Sequence, residues 1–293
     1  MPVSRLVATS LIVLGFVILA LAATVLGLAP HGADGNCGLA IAAFIGQLAG
    51  LALVVIGFGA SASQAWWGFA LSSRNAYSLS KLQMSGWTVL VLGALFSAAE
   101  MRIFGYFRAV AHPLDITIPG ELLAAMGISI FTTAATPAIL ALKATRTPTP
   151  DQEDAAARRL ADQTNTTPDK IDNVGHVMVR TDRADARWSD IVSGDEVANA
   201  GTVDLSKVQQ LLITVLLLGM YAGDMIRAIA QRDAFDTLPM LSSYFIGLMA
   251  ISHAGYLGYK AMPKAVPDGQ PAPAPAPTAM PIMTGPAAAP PRR

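Results

Sequence analysis

The segment LSKLQMSGWTVLVLGALFS, residues 79–97, is similar to LSKVQQLLITVLLLGMYAG, residues 205–223. Each copy begins with a serine and a glutamine three positions apart, ahead of an apolar run. This is the capping-box pattern, in which the serine hydroxyl accepts a hydrogen bond from the third helical amide and the glutamine bonds back. These residues are Ser80 and Gln83 in the first copy and Ser206 and Gln209 in the second. The pattern predicts two helices that enter a membrane from the same side.

The similarity extends past the two quoted segments. Glu100 and Asp224 follow the two apolar runs, and Pro119 and Pro239 precede the runs that come next. Because each unit contains two runs, both hairpins would point the same way across the membrane. The sequence therefore predicts a parallel repeat of two helical hairpins, with coincidence among common membrane-helix residues as the alternative.

The composition is that of a membrane protein. Of 293 residues, 53% are hydrophobic and 14% charged, whereas roughly a quarter of residues are charged in globular proteins. The net charge is zero, which disfavours a nucleic-acid partner. The single cysteine, Cys37, excludes an intrachain disulfide, and the four histidines show no metal-ligand spacing. We predict no metal and no cofactor.

Six apolar stretches match the roughly 20 residues that a helix needs to cross a bilayer. They cover residues 6–29, 38–61, 82–99, 122–142, 208–227 and 237–259. We predict an all-α integral membrane protein with six transmembrane helices in contact with the lipid bilayer. Its regions would be a membrane region at 1–143, an insert at 144–204, a membrane hairpin at 205–260 and a disordered Pro/Ala-rich tail at 261–293.

Lysine and arginine are distributed unevenly between the two sides of this arrangement. All of them except Arg102, Arg108, Arg227 and Arg232 lie on the side of the N-terminus. Positively charged residues are enriched on the cytoplasmic side of membrane proteins. We therefore predict a bacterial inner (plasma) membrane protein with both termini and the insert in the cytoplasm and Cys37 outside.

Four charged residues lie at the outer ends of the third and fifth predicted spans: Glu100, Arg102, Asp224 and Arg227. Asp224 and Arg227 are three positions apart and share a helix face, whereas Glu100 and Arg102 would each pair with the other hairpin. We interpret the four as a structural ion-pair cluster. The alternative is an entry site for ions or protons, because ionisable groups inside membranes often mark pathways.

His253 lies near the middle of the last predicted span. We interpret it as a hydrogen-bonding residue between helices, with a proton relay as the alternative.

The insert has few aliphatic residues and should dock on the membrane helices or on a partner. A helix near its start, a strand at HVMVRT and a short helix at ARWSDIVSG are predicted. Asp195 and Glu196 are interpreted as solvated acids, and a cation site there is the less favoured alternative.

The sequence contains no nucleophile elbow, phosphate-binding glycine loop or zinc-protease motif, so we predict that the protein is not an enzyme. The favoured function is a membrane-embedded scaffold or partner-binding subunit. A protein partner would bind through residues 144–204 or the tail, and a homo-oligomer could form through small-residue helix faces. The alternative function is a channel or transporter for ions, protons or small solutes, built on the repeated hairpins.

Overall fold

The structure is a computed structural model that describes residues 3–32 and 35–264. From residue 265 onward, the predicted tail lies outside the described residues. The chain is mostly helical. Within the described ranges, five helices are long and apolar enough to cross a membrane, with mean hydropathy from 1.5 to 2.8 in their most apolar windows. These helices indicate an integral membrane protein that contacts the lipid bilayer.

The helices of the described chain are α1 (Arg5–Leu28), α2 (Cys37–Ser63), α3 (Leu79–Ile103), α4 (Gly120–Ala144), α5 (Pro150–Thr164), α6 (Leu205–Ala230) and α7 (Ser243–Ala261). The five candidate spans are α1, α2, α3, α4 and α6. The sixth predicted span corresponds to α7, which is not among the five. With 19 residues α7 is shorter than they are, and His253 and Lys260 lower its hydropathy.

Four helices form the centre of the bundle. Helix α3 contacts α4 and α6, and α7 contacts the same two helices, so the α3–α4 and α6–α7 hairpins lie side by side. The core between them includes Trp87, Tyr221, Met225 and Met249. Helix α2 packs on the outside of α3 and α6, and α1 packs mainly on α2.

Glycines allow α1 and α2 to approach closely. A Cβ atom built on Gly50 would lie 2.9 Å from the carbonyl oxygen of Gly15, and one on Gly57 would lie 2.6 Å from Ile12 Cγ1. Small residues at such positions let membrane helices pack backbone to backbone. The outward face of α1, which includes Leu6 and Phe16, is exposed.

The helix caps differ from the prediction, which was wrong by two residues. The side chain of Ser78 accepts from the amide of Lys81, and the carboxylate of Asp204 accepts from the amides of Ser206 and Lys207. Both are good N-cap residues, so α3 and α6 begin before the predicted caps Ser80 and Ser206. The interval between Ser78 and Asp204 in the sequence equals the interval between Ser80 and Ser206.

The loops that precede α4 and α7 pair with each other through their main chains. The amide of Thr117 donates to the carbonyl of Asp236 at 2.9 Å, and the amide of Leu238 donates to the carbonyl of Thr117 at 3.0 Å. Thr117 and Thr237 form a parallel bridge, and each lies two residues before a proline. The two hairpins are thus joined at equivalent positions.

The insert contains α5 and an antiparallel hairpin of strands β1 (Ile171–Val174) and β2 (Val177–Arg180). Strand β2 coincides with the predicted HVMVRT strand, whereas Trp188–Ile191 forms only a 3-10 turn. Leu160, Ile171 and Met178 belong to its small core. The insert contacts the ends of the helices where α3 and α6 begin, and we call this end of the bundle the insert side.

Candidate functional site

Asp195 is the centre of a buried ionic cluster between the insert and the bundle. Its Oδ1 atom lies 2.7 Å from Arg74 Nη2 and 2.8 Å from Lys207 Nζ, and its Oδ2 atom accepts from Lys260 Nζ. Arg74 belongs to the α2–α3 connection, Lys207 to the first turn of α6 and Lys260 to the last turn of α7. One carboxylate of the insert therefore joins three elements of the bundle.

The ionic cluster is buried, and its positive charges oppose the effect of burial on the pKa of Asp195. The side chain of Asp195 is 8% exposed, and those of Lys207 and Lys260 are 4% and 5% exposed. Burial by itself raises the pKa of Asp195, but the charges of Arg74, Lys207 and Lys260 outweigh it and hold the pKa well below its usual range. Asp195 is thus ionised at neutral pH. Lys207 Nζ also donates to the carbonyls of Asp190 and Ser193.

Glu196 makes a second buried contact of the same kind. Its Oε2 atom accepts from Lys143 Nζ, in the last turn of α4, at 2.7 Å. Lys143 Nζ also donates to the carbonyl of Met262 at 2.9 Å, which ties the ends of α4 and α7 together. The interpretation of Asp195 and Glu196 as solvated acids was wrong. Lysines at the ends of different helices converge on them, and linear spacing does not show that convergence.

In the part of the chain that the structure describes, no group of three or more His, Cys, Asp or Glu side chains could hold a metal ion. Asp195 and Glu196 are instead paired with cations of the bundle.

The four charged residues predicted to form a cluster lie near the C-terminal ends of α3 and α6, away from the insert. They have separate partners. Arg227 Nε lies 3.1 Å from Asp224 Oδ1, on the same helix and on an exposed face. Glu100 is buried and accepts from the side-chain amide of Gln47, in α2. Arg102 pairs with Asp236. Among the ion pairs of the described residues, none joins Glu100 or Arg102 to Asp224 or Arg227, so the structure does not gather the four.

Arg102 joins the two hairpins at the end of the bundle opposite the insert. It is 6% exposed, and its Nη1 atom lies 2.5 Å from Asp236 Oδ1 in the α6–α7 loop. Its remaining nitrogens donate to the carbonyls of His112, Pro113 and Asp115 in the α3–α4 loop. Arg102 was predicted from the sequence as part of a charge cluster, whereas Asp236 was not, because an exposed loop acid carries no distinguishing pattern.

A buried hydrogen-bond network crosses the middle four helices. The residues are Gln83 on α3, Thr132 on α4, Gln210 and Thr214 on α6, and His253 on α7. Gln83 Nε2 donates to Thr214 Oγ1 at 2.7 Å, and Gln210 Nε2 donates to Gln83 Oε1 at 3.0 Å. His253 Nδ1 lies 2.6 Å from Thr132 Oγ1 and 3.2 Å from Gln210 Nε2. The network therefore links α3, α4, α6 and α7.

The two glutamines predicted to cap helices, Gln83 and Gln209, have different surroundings. Gln83 belongs to the network, whereas Gln209 is exposed and its neighbour Gln210 takes the buried position. Sequence reasoning missed Gln210 because the capping-box pattern selected Gln209. Gln210 Oε1 and His253 Nε2 are buried and have no hydrogen-bond partner among the described residues.

No family model, no curated protein and no solved structure matches this chain.

Proposed function

We propose that this protein is a membrane-embedded scaffold or partner-binding subunit. The observation that carries the proposal is the fixation of the insert by Asp195, whose carboxylate binds cations from three elements of the bundle. An insert held in this way is a preorganised surface at the end of the bundle. Preorganisation favours binding because little conformational freedom is lost when a partner docks.

Aromatic side chains support a position of the insert close to the membrane surface. The rings of Trp67 and Trp188 are 5.0 Å apart, and those of Tyr77 and Trp188 are 4.9 Å apart. Trp67 and Trp188 are 39% and 43% exposed. Tryptophan and tyrosine are enriched at the boundary between membrane and water, so this group suits an insert that rests at headgroup level.

The proposed topology has six spans, with α7 as the sixth, and both termini and the insert in the cytoplasm of a bacterium. Two features support it: the predominance of Lys and Arg on one side of the sequence and the contact of Lys260, at the end of α7, with the insert. The proposed parallel duplication is supported by the equivalent N-caps Ser78 and Asp204. A homo-oligomer through small-residue helix faces belongs to the same proposal.

The proposal is tested by purification of the full chain from native membranes, followed by quantitative mass spectrometry. We expect a stoichiometric protein partner. The exposed face of α5 carries Arg158 and Asp162, and the double variant Arg158→Glu with Asp162→Lys should release the partner without loss of thermal stability. Asp224→Asn, on an exposed part of α6, is the matched control and should retain it. A chain that purifies alone from these membranes would contradict the scaffold proposal.

A channel or transporter is the second candidate, and the network around His253 is the observation that favours it. Polar side chains buried between four membrane helices resemble the lining of a pathway, and atoms of Gln210 and His253 have no partner in the part of the chain that the structure describes. Purified protein in liposomes would then conduct protons or cations, and Gln210→Leu would abolish the flux. For a scaffold we expect no flux in either protein.

A further inference from the structure

A half-open cavity of about 410 Å³ lies on the insert side, between α3, α4 and the β1–β2 hairpin. Its walls come from two parts of the protein, the ends of the bundle helices and the insert. One part of the lining is polar and the other apolar. None of the residues described above as a hydrogen-bond network belongs to it, so this cavity is a separate feature of the molecule.

The polar part of the lining is positively charged. It contains Arg74, Lys81 and the hydroxyls of Ser73, Ser78 and Ser80, and none of the acidic side chains in the described ranges lines the cavity. Arg74 is already paired with Asp195. Lys81 Nζ donates to the carbonyl of Leu71 at 2.7 Å, and within the described ranges it forms no salt bridge. Lys81 therefore leaves this part of the cavity with an uncompensated positive charge.

The apolar part of the lining is formed by Pro137, Leu140 and Ala141 of α4 on one wall and by Val174, Val177 and Val179 of the strands on the other. Val174 is 57% exposed. An exposed valine beside a membrane helix provides an apolar surface for a hydrocarbon chain. The polar part of the cavity thus suits a charged headgroup and the apolar part suits a hydrocarbon chain, the two parts of an amphiphile.

The polar groups of α4 at this position are the hydroxyl of Thr136 and the main-chain carbonyl of Thr133. The Thr136 side chain is 7% exposed and lines the cavity, and its hydroxyl has no hydrogen-bond partner in the described chain. Pro137 has no amide hydrogen, so the carbonyl of Thr133 loses its helical donor. Buried polar groups that remain unpaired are costly. A ligand with both hydroxyl and phosphoryl oxygens would satisfy them.

We propose that this cavity binds one anionic phospholipid, with the phosphate at Lys81 and the serine hydroxyls and an acyl chain along Pro137 and Ala141. The cavity lies at the ends of α3 and α4, where a bilayer places its headgroups. A phosphatidylglycerol headgroup fits because it adds hydroxyls to a single negative charge. This inference does not depend on the proposed scaffold function.

The test is lipid binding to the purified full-length protein in detergent, measured by native mass spectrometry with phosphatidylglycerol and phosphatidylcholine. We expect phosphatidylglycerol to bind more tightly. Lys81→Gln should weaken its binding roughly fivefold, the contribution of one basic residue near an anionic lipid surface. Arg146→Gln is the control, because Arg146 is an exposed cation next to the end of α4 that does not line the cavity. It should leave binding unchanged.

Ala141→Trp tests the apolar part, and it should weaken the binding of both lipids by filling the cavity. If Lys81→Gln fails to fold, Lys81→Arg should retain the preference for phosphatidylglycerol and Ala141→Trp still tests the site. Equal affinity of wild type and Lys81→Gln for phosphatidylglycerol would overturn the proposal. Binding of free glycerol phosphate that is as tight as lipid binding and insensitive to Ala141→Trp would assign the site to a soluble phosphate and also overturn it.

Discussion

The Nζ atom of Lys207 lies 2.8 Å from Oδ1 of Asp195, twelve positions earlier in the chain. This contact closes the short segment between the insert and α6 and buries both charges. Lys260, 65 positions after Asp195, reaches the other oxygen of the same carboxylate. A local contact and a distant contact thus meet on one group, so the insert and the α6–α7 hairpin are stabilised together.

Removal of the charge of Asp195 should destabilise the whole protein. Asp195→Asn leaves Arg74, Lys207 and Lys260 close together without their shared anion, and loss of one partner from a buried ion pair costs about 3–5 kcal/mol. We expect a clearly lower midpoint of thermal unfolding in detergent, and faster proteolysis of the insert. Asp169→Asn is the control, because Asp169 is exposed and forms no ion pair among the described residues. Equal midpoints in the two variants would refute the role of Asp195.

The stability should also depend on pH through Asp195. An unfolded aspartate has a pKa of about 3.9, whereas the folded protein holds the pKa of Asp195 well below this range. Between the two values the unfolded chain binds a proton that the folded chain does not bind, so the free energy of unfolding decreases as the pH falls. The contribution is complete above about pH 5 and is lost on acidification.

The measurement is the midpoint of thermal unfolding between about pH 6 and pH 3. We expect a steep fall for wild type and for Asp169→Asn, and a shallower fall for Asp195→Asn. Identical slopes in all three proteins would show that Asp195 does not contribute.

The proposed topology predicts which cysteines react with a membrane-impermeant maleimide. Cys37 begins α2 at the end opposite the insert, and Met240, 65% exposed, lies between α6 and α7. In spheroplasts with an intact inner membrane, Cys37 should be labelled, as should Met240→Cys in a Cys37→Ser background. Asp169→Cys in the same background should react only after detergent is added. Labelling of Asp169→Cys before detergent would contradict a cytoplasmic insert.

The close contact of α1 with α2 should be sensitive to a single methyl group. A Cβ atom at Gly50 would lie 2.9 Å from the carbonyl oxygen of Gly15 and also 2.9 Å from Leu19 Cγ, whereas no atom lies within 4 Å of a Cβ at Gly219. We expect Gly50→Ala to cost about 1–3 kcal/mol through overpacking, and Gly219→Ala to be neutral or slightly stabilising because alanine favours helix. Thermal unfolding in detergent compares the two. A larger loss for Gly219→Ala would contradict the observed packing.

Apolar length and composition were sufficient to predict a helical membrane protein, because a bilayer restricts the chain to long apolar helices. The N-cap residues were not predicted correctly, since Ser78 and Asp204 accept from amides in the first turns of α3 and α6 and so start each helix two residues before the predicted cap. Local hydrogen bonding of this kind depends on backbone geometry that the pattern alone does not specify.

The ionic cluster could not be predicted because it depends on three-dimensional convergence. Lys143, Lys207 and Lys260 end or begin helices, and each suits a contact with lipid headgroups when considered alone. The structure directs all three to the acids Asp195 and Glu196. Sequence distances of 12 to 65 positions contain no signal for such pairing.

The pairing of Thr117 with Thr237 has a mechanical consequence. At one end of the bundle the main chains of these loops join the two hairpins. At the other end Lys143 donates both to Glu196 and to the carbonyl of Met262, which follows α7. A rocking of one hairpin against the other, the movement used for alternating access, would break both connections at once. The four central helices are therefore linked at both ends of the bundle, whereas α1 packs mainly on α2.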